Sequence, residues 1–186
     1  FPKPALAPPQ RALIIQLRRG SDDSRWIIYR AKNEQGKEEG LRVQLMKDGD
    51  VKLFDLAAEK PIQDRGASLF GSAFSYEDVS LCFLAWKTQK FLGEETIKDR
   101  SCWRIASYPA ETNPSPYRCV QSWIDRQYHG LLQATAYDDK DHVIREFRVN
   151  SFQQLEGAWM VKAIELHAPS TGARSRLEIQ EAEKIK

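Results

Sequence analysis

Apolar and polar residues alternate in short runs along nearly the whole chain, from Leu13 to Ile179, and turn residues separate the runs. Strict alternation over several residues is typical of a β-strand with one buried face and one solvent-exposed face. About ten such runs predict a mainly β fold with a single curved antiparallel sheet, because a sheet this wide must bend to cover its apolar face.

The runs also give the strand boundaries. Asp48-Gly49 predicts a hairpin turn between the third and fourth runs. Residues 57–70 have no clear period and are expected to connect two parts of the sheet over the surface. The predicted strands are 11–19, 25–32, 41–45, 51–54, 87–97, 102–108, 117–125, 131–137, 142–149, 159–167 and 174–179.

One segment has a helical pattern. Ser75 is a suitable N-cap, Asp78 follows three residues later, and acidic residues favour the first turn of a helix. Val79, Phe83 and Trp86 then fall on one helical face. We predict a short helix over residues 75–85.

Strand parity predicts an apolar cavity inside the curve of the sheet. Two fillings remain open: the tryptophans Trp26, Trp86, Trp103, Trp123 and Trp159 pack there as a solid core, or some of them line a space for an apolar ligand. The predicted cavity residues are Leu13, Ile15, Leu17, Trp26, Ile28, Leu41, Val43, Leu45 and Phe54.

Length and charge narrow the classes of function. A chain of 186 residues suits a Pro-rich arm at 1–10 followed by one domain at 11–186. The 28 basic and 26 acidic residues are spread along the chain and leave a net charge of +2, so no polybasic segment suggests nucleic acid or a membrane. The longest apolar stretch, 79–86, is far shorter than the roughly 20 residues of a transmembrane helix.

The candidate chemistry is sparse, so we predict that the protein is not an enzyme and has no metal or cofactor. His129, His142 and His167 lack a second histidine at metal-binding spacing, and no P-loop, nucleophile elbow or dinucleotide motif occurs. The three cysteines are Cys82, Cys102 and Cys119. Cys102 and Cys119 either form a disulfide between neighbouring strands or stay free as small buried residues.

The first residues bear on localisation. The chain begins Phe1-Pro2-Lys3-Pro4 without methionine, and no apolar signal sequence is present in the chain as given. Either removal of an export signal or trimming would produce this start. We expect export.

Several short motifs resemble the outer-membrane lipoprotein-sorting protein family, which has the LolA-like fold. Gly71-Ser72-Ala73-Phe74-Ser75-Tyr76-Glu77-Asp78-Val79 is similar to the family's G-S-D-F-S-Y-E-D-L segment, and residues 117–125 are similar to its Y-x-x-x-x-x-W-[IV]-D strand. Further matches lie at 92–95, 102–105, 137–138, 157–160 and 171–172, so the resemblance covers residues 41–179. Ala73 replaces an acidic residue of the family pattern, and 140–142 lacks its glycine.

The resemblance implies an unclosed antiparallel β-barrel around an apolar cavity, with the helix as a lid or plug. It also implies a periplasmic carrier. Such a protein holds the acyl chains of a lipid or lipoprotein in a half-barrel cavity, acts as a monomer, and meets an inner-membrane exporter or an outer-membrane acceptor as a further partner. It needs no catalysis, since each CH₂ removed from water contributes about 0.8 kcal/mol. The alternative is a solid-packed half-barrel that serves as an envelope protein–protein interaction module.

Overall fold

The fold is mainly β, and its strands form two antiparallel sheets. A computed structural model of the chain describes residues 10–20, 24–46, 50–111 and 115–182. The chain divides into two compact units, Phe1–Gln63 and Asp64–Lys186. The strands of the first unit pair in sequence order: β1 (Leu13–Arg19), β2 (Arg25–Lys32), β3 (Glu38–Leu45), β4 (Val51–Asp55) and β5 (Lys60–Pro61).

The second unit contains a seven-stranded antiparallel sheet in which every strand pairs with its neighbours in sequence. The strands of this second sheet are β6 (Thr88–Ile97), β7 (Arg100–Tyr108), β8 (Cys119–Asp125), β9 (Leu131–Tyr137), β10 (Val143–Leu155), β11 (Ala158–Ala168) and β12 (Ala173–Glu178). Neither of the two sheets closes on itself.

The mainly β, unclosed fold is confirmed, whereas the strands form two sheets and not one. The first sheet ends at the two-residue strand β5, whose Pro61 has no N–H to donate to a further ladder. Residues 62–87 then contain the helical segment. The connection at 57–70 is also less superficial than predicted, because Arg65 and Leu69 are buried.

The helix lies where the sequence predicts it, although it is shorter. Helix α1 spans Tyr76–Ser80, and a 3₁₀ helix follows at Cys82–Leu84. The capping box is present, since Ser75 accepts a hydrogen bond from the Asp78 backbone and Asp78 accepts one from the Ser75 backbone. Leu81 has φ +49°, and this left-handed residue ends α1. No helix among the described residues is long and apolar enough to cross a membrane.

Most predicted strands are confirmed within a few residues, and one is much longer. Strand β10 extends to Leu155, well beyond the predicted end at Val149. Register shifts at Ser151 interrupt the alternation there, so the sequence pattern breaks while the strand continues. The hairpin turn predicted at Asp48-Gly49 lies outside the described residues.

The cysteines are all free and buried. Cys102 pairs with Asp125 across β7 and β8, whereas Cys119 lies at the other end of β8. At about 3.3 Å per residue, the two cysteines are separated by roughly 20 Å along the strands, too far for a disulfide. Of the two alternatives for this pair, the structure has the buried free thiols.

Candidate functional site

The register divides the predicted cavity residues between the two faces of the first sheet. Residues directly opposite each other in an antiparallel pair point to the same face. Ile15, Tyr29 and Leu41 are such partners, as are Ile27 and Val43. One face therefore holds Leu13, Ile15, Leu17, Leu41, Val43 and Leu45, and the other holds Trp26, Ile28 and Phe54.

These nine residues also differ in exposure. Leu41 and Val43 are fully buried and Ile28 is nearly so, whereas Leu17 is 70% exposed. Strand parity alone missed this division because both faces of β2 carry apolar side chains. A single cavity lined by all nine residues is ruled out by the register, and a binding role for the six residues on one face stays a prediction.

In the second sheet, the helical segment covers one face. Phe83 of the 3₁₀ helix contacts Phe147 of β10, with ring centroids 6.1 Å apart. The three residues predicted for the lid, Val79, Phe83 and Trp86, are all buried. They form part of the core, and their role as a lid over a ligand stays a prediction.

A buried polar network anchors α1 to this sheet. Asp78 accepts a hydrogen bond from the Tyr117 hydroxyl and lies 3.5 Å from Arg145 Nε. Ser75 Oγ is 3.3 Å from the same hydroxyl. Burial raises the pKa of Asp78, and burial together with the neighbouring carboxylate raises the pKa of Tyr117. The hydrogen bonds of Asp78 with Ser75 and Tyr117 connect the first turn of α1 to the segment that precedes β8, and so they hold the helix against the sheet.

A second buried cluster lies beside it. Arg65 Nε is 2.7 Å from Glu77 Oε2, and Glu77 Oε1 accepts hydrogen bonds from Cys82 Sγ and Ser115 Oγ. Burial and the Glu77 carboxylate raise the pKa of Cys82 to about 12, so this thiol is protonated and a poor nucleophile at neutral pH. Among the described residues, no three His, Cys, Asp or Glu side chains are grouped as metal ligands.

An open apolar pocket of about 390 Å³ lies on the helix-covered face, at the β6 edge of the sheet. Phe91 and Ile105 are direct cross-strand partners, and Trp103 and Ile105 alternate with Ser107 along β7. Ser107 lies opposite Val120, and the same cross-strand row continues through Ala136 to Arg145. Because Arg145 forms an ion pair with Asp78 of α1, the pocket and the helix lie on the same face of the sheet. The lining residues are Gln89, Phe91, Trp103 and Ile105.

The walls of this pocket are held in place by contacts around it. Trp103 stacks on His129, with centroids 5.6 Å apart and planes 13° apart. Gln89 donates a hydrogen bond to the Leu84 carbonyl of the 3₁₀ helix, at 3.2 Å. Phe91 is 60% exposed, so its ring is available to an apolar ligand. The pocket volume falls within the roughly 300–1,000 Å³ of small-molecule sites.

None of the pocket residues belongs to the predicted cavity. Trp103 is one of the five tryptophans that the sequence offers for the cavity, but the sequence alone does not show which face of its strand it lies on. The sequence does contain a signal for the pocket, because Trp103, Ile105 and Ser107 alternate along one strand and Gln89 and Phe91 along the next. To predict the pocket from these residues, one must also know how β6 pairs with β7, including the register shift between Phe91 and Gly93.

Comparisons with known proteins place the chain in a family and a fold. A family model described as "Uncharacterized protein" matches residues 21–185. A comparison with curated protein sequences gives no match.

Three solved structures are similar to the chain over most of their length. A DUF1329 family protein from Desulfovibrio piger is 18% identical with a TM-score of 0.61, and the match covers 90% of this chain and 81% of that one. A Vibrio parahaemolyticus domain described as outer membrane lipoprotein-sorting is 17% identical with a TM-score of 0.59, and the match covers 94% of this chain and 86% of that one. A LolA superfamily protein from Nitrosomonas europaea is 15% identical with a TM-score of 0.62, and the match covers 89% of this chain and 80% of that one. The fold is therefore LolA-like.

Proposed function

The chain belongs to the family whose model matches residues 21–185, and from its LolA-like fold and its apolar pocket we propose that it is a carrier of lipid or lipoprotein acyl chains in the bacterial periplasm. The observation that carries the proposal is the open apolar pocket of about 390 Å³ beside the helical segment. Three of its four lining residues are Phe91, Trp103 and Ile105. The carrier acts as a monomer and performs no catalysis.

The energetics of acyl binding suit such a pocket. A buried CH₂ contributes about 0.8 kcal/mol, so about ten of them suffice for a micromolar dissociation constant before the cost of immobilising the chain is subtracted. Glu94 pairs with Trp103 across the strands and lies 2.5 Å from Arg126, so the polar groups beside the pocket already have partners. The pocket thus selects for apolar length and not for a charged group.

The relatives support this proposal through their fold and their descriptions. The Vibrio parahaemolyticus domain is described as lipoprotein-sorting. We propose the same class of cargo for this chain, with an inner-membrane exporter or an outer-membrane acceptor as the protein that delivers or receives it.

The direct test is titration of the delipidated protein with a fluorescent fatty-acid probe. We expect micromolar binding by the unchanged protein and at least a tenfold loss in Phe91→Asp, because a carboxylate then faces the apolar wall. Trp159→Asp is the matched control: Trp159 is 58% exposed, compared with 60% for Phe91, and it lies outside the pocket.

Two results would contradict the proposal in different ways. No binding by the unchanged protein rejects acyl transport and leaves the protein–protein interaction module as the better function. Binding that is unaffected by Phe91→Asp but lost in Leu17→Asp places the ligand at the six apolar residues of the first sheet.

A further inference from the structure

Five basic side chains of the first sheet lie on one face, opposite the face that holds Leu41 and Val43, whereas Arg19, Arg25 and Lys60 lie on the Leu41 face. Three cross-strand rows form the first of these faces: Ile14–Arg30–Gly40, Gln16–Ile28–Arg42–Phe54 and Arg18–Trp26–Gln44–Lys52. We call it the basic face and define it by Arg18, Arg30, Lys32, Arg42 and Lys52. Among the described strand residues, Glu38 is the single acidic residue of this face, and it lies opposite Lys32.

Among the described residues, the outer cations of the basic face have no partner. Arg18, Arg30 and Lys52 are exposed, and their side chains form no ion pair or hydrogen bond with the described residues. In the second unit, some exposed arginines are paired with carboxylates, as Arg126 is with Glu94 and Arg176 with Glu165, whereas Arg174 forms no ion pair with the described residues. Among the described residues, no ion pair neutralises Arg18, Arg30 or Lys52 of the basic face.

Aromatic and apolar side chains lie between these cations. The Arg42 guanidinium lies over two rings, 4.8 Å from the centroid of Trp26 and 4.6 Å from that of Phe54. Ile14, on the same face, is 62% exposed. Basic residues interspersed with Trp, Phe and Ile form the kind of surface that binds the interfacial region of a bilayer.

The spacing of the cations indicates an extended partner. Arg18 and Lys52 are three strands apart in one row, which is about 14 Å, and Arg30 lies about 13 Å along β2 from that row. A single phosphate cannot reach all three. An array of headgroups can.

We propose that the basic face docks the protein on a lipid bilayer that carries anionic headgroups. This changes the conclusion from the sequence, in which no polybasic segment suggests a membrane. The cations come from four different strands, and only the register brings them to one face. The docking does not depend on the acyl pocket, since every residue involved lies in the first unit.

Vesicle co-sedimentation of the full chain tests the proposal. We expect binding to vesicles of phosphatidylcholine and phosphatidylglycerol in equal parts, weak binding to phosphatidylcholine alone, and release by salt. The variant R18Q/R30Q/K52Q should bind roughly a hundredfold more weakly, because each basic residue near an anionic surface contributes about fivefold. The single variant Arg30→Gln should show the fivefold loss by itself.

A matched control variant has the same net charge as R18Q/R30Q/K52Q. K87Q/K140Q/R174Q also removes three exposed, unpaired cations, but from the second unit, and it should retain vesicle binding. Equal losses in both triple variants would overturn the basic face as the docking site, as would salt-insensitive binding to both kinds of vesicle. Binding to polyglutamate but not to the anionic vesicles would overturn the lipid partner and point to an acidic protein. The fatty-acid titration should be unchanged in R18Q/R30Q/K52Q.

Discussion

At the scale of single residues, the motifs that carry the family resemblance are anchors of the fold. Ser75 caps α1 and Asp78 binds the Tyr117 hydroxyl. Asp125, at the end of the second motif, accepts hydrogen bonds from the backbones of Gln127 and Tyr128 and pairs with Arg100, and the Arg100 hydrogen bond lowers the pKa of this carboxyl. The sequence therefore identifies the fold through residues that lie outside the pocket.

Tyr117→Phe tests this anchoring role. The variant loses the hydroxyl that binds the buried Asp78, so we expect its free energy of unfolding to fall by about 1.5–3 kcal/mol, as for other hydrogen bonds to charged groups. Chemical denaturation monitored by circular dichroism measures the change. Tyr137→Phe is the control, because the Tyr137 hydroxyl has no hydrogen bond with the described residues, and a change within about 0.5 kcal/mol is expected. Equal effects of the two substitutions would show that the network contributes nothing specific.

At the scale of elements, strand positions follow from the alternation of residues, but the faces do not. The sequence locates β2 from 25 to 32 and the capping box of α1 correctly. It does not show that Trp26 and Ile28 lie on the opposite face of the sheet from Leu41, because the alternation of a strand with apolar residues on both faces does not reveal which face is buried. Only the cross-strand register, which depends on turns and bulges, decides which residues share a face.

Close packing at the end of the first sheet gives a prediction for an element. A Cβ added to Gly40 of β3 would lie 2.6 Å from Leu56 Cδ1 and 2.9 Å from Leu56 Cβ. We expect Gly40→Ala to destabilise the protein by about 1–3 kcal/mol, because the chain after β4 must move. Gly130→Ala is the control, since its Cβ would meet Phe152 at an ordinary 3.6 Å. Thermal unfolding of both variants measures the difference, and equal midpoints would contradict the predicted clash.

At the scale of the whole molecule, the proposed carrier function requires exposed apolar surface and no catalytic group. Phe91 and Trp103 provide such surface on one sheet, while the other sheet presents unpaired cations around Trp26. The sequence predicted the mainly β, LolA-like architecture because alternation and short motifs are local. It could not predict the pocket or the basic face, because each assembles residues from strands whose register is set by the folded chain.

Quenching by a brominated fatty acid tests the central claim, that the acyl chain binds beside Trp103, most directly. Bromine quenches only those tryptophans that lie close to the bound chain, so delipidated wild-type protein and Trp159→Phe should lose the same absolute amount of fluorescence per mole of protein. Trp103→Phe should bind the fluorescent probe but lose most of the quenching. Full quenching in Trp103→Phe, or quenching that disappears in Trp26→Phe instead, would contradict the account and place the ligand elsewhere.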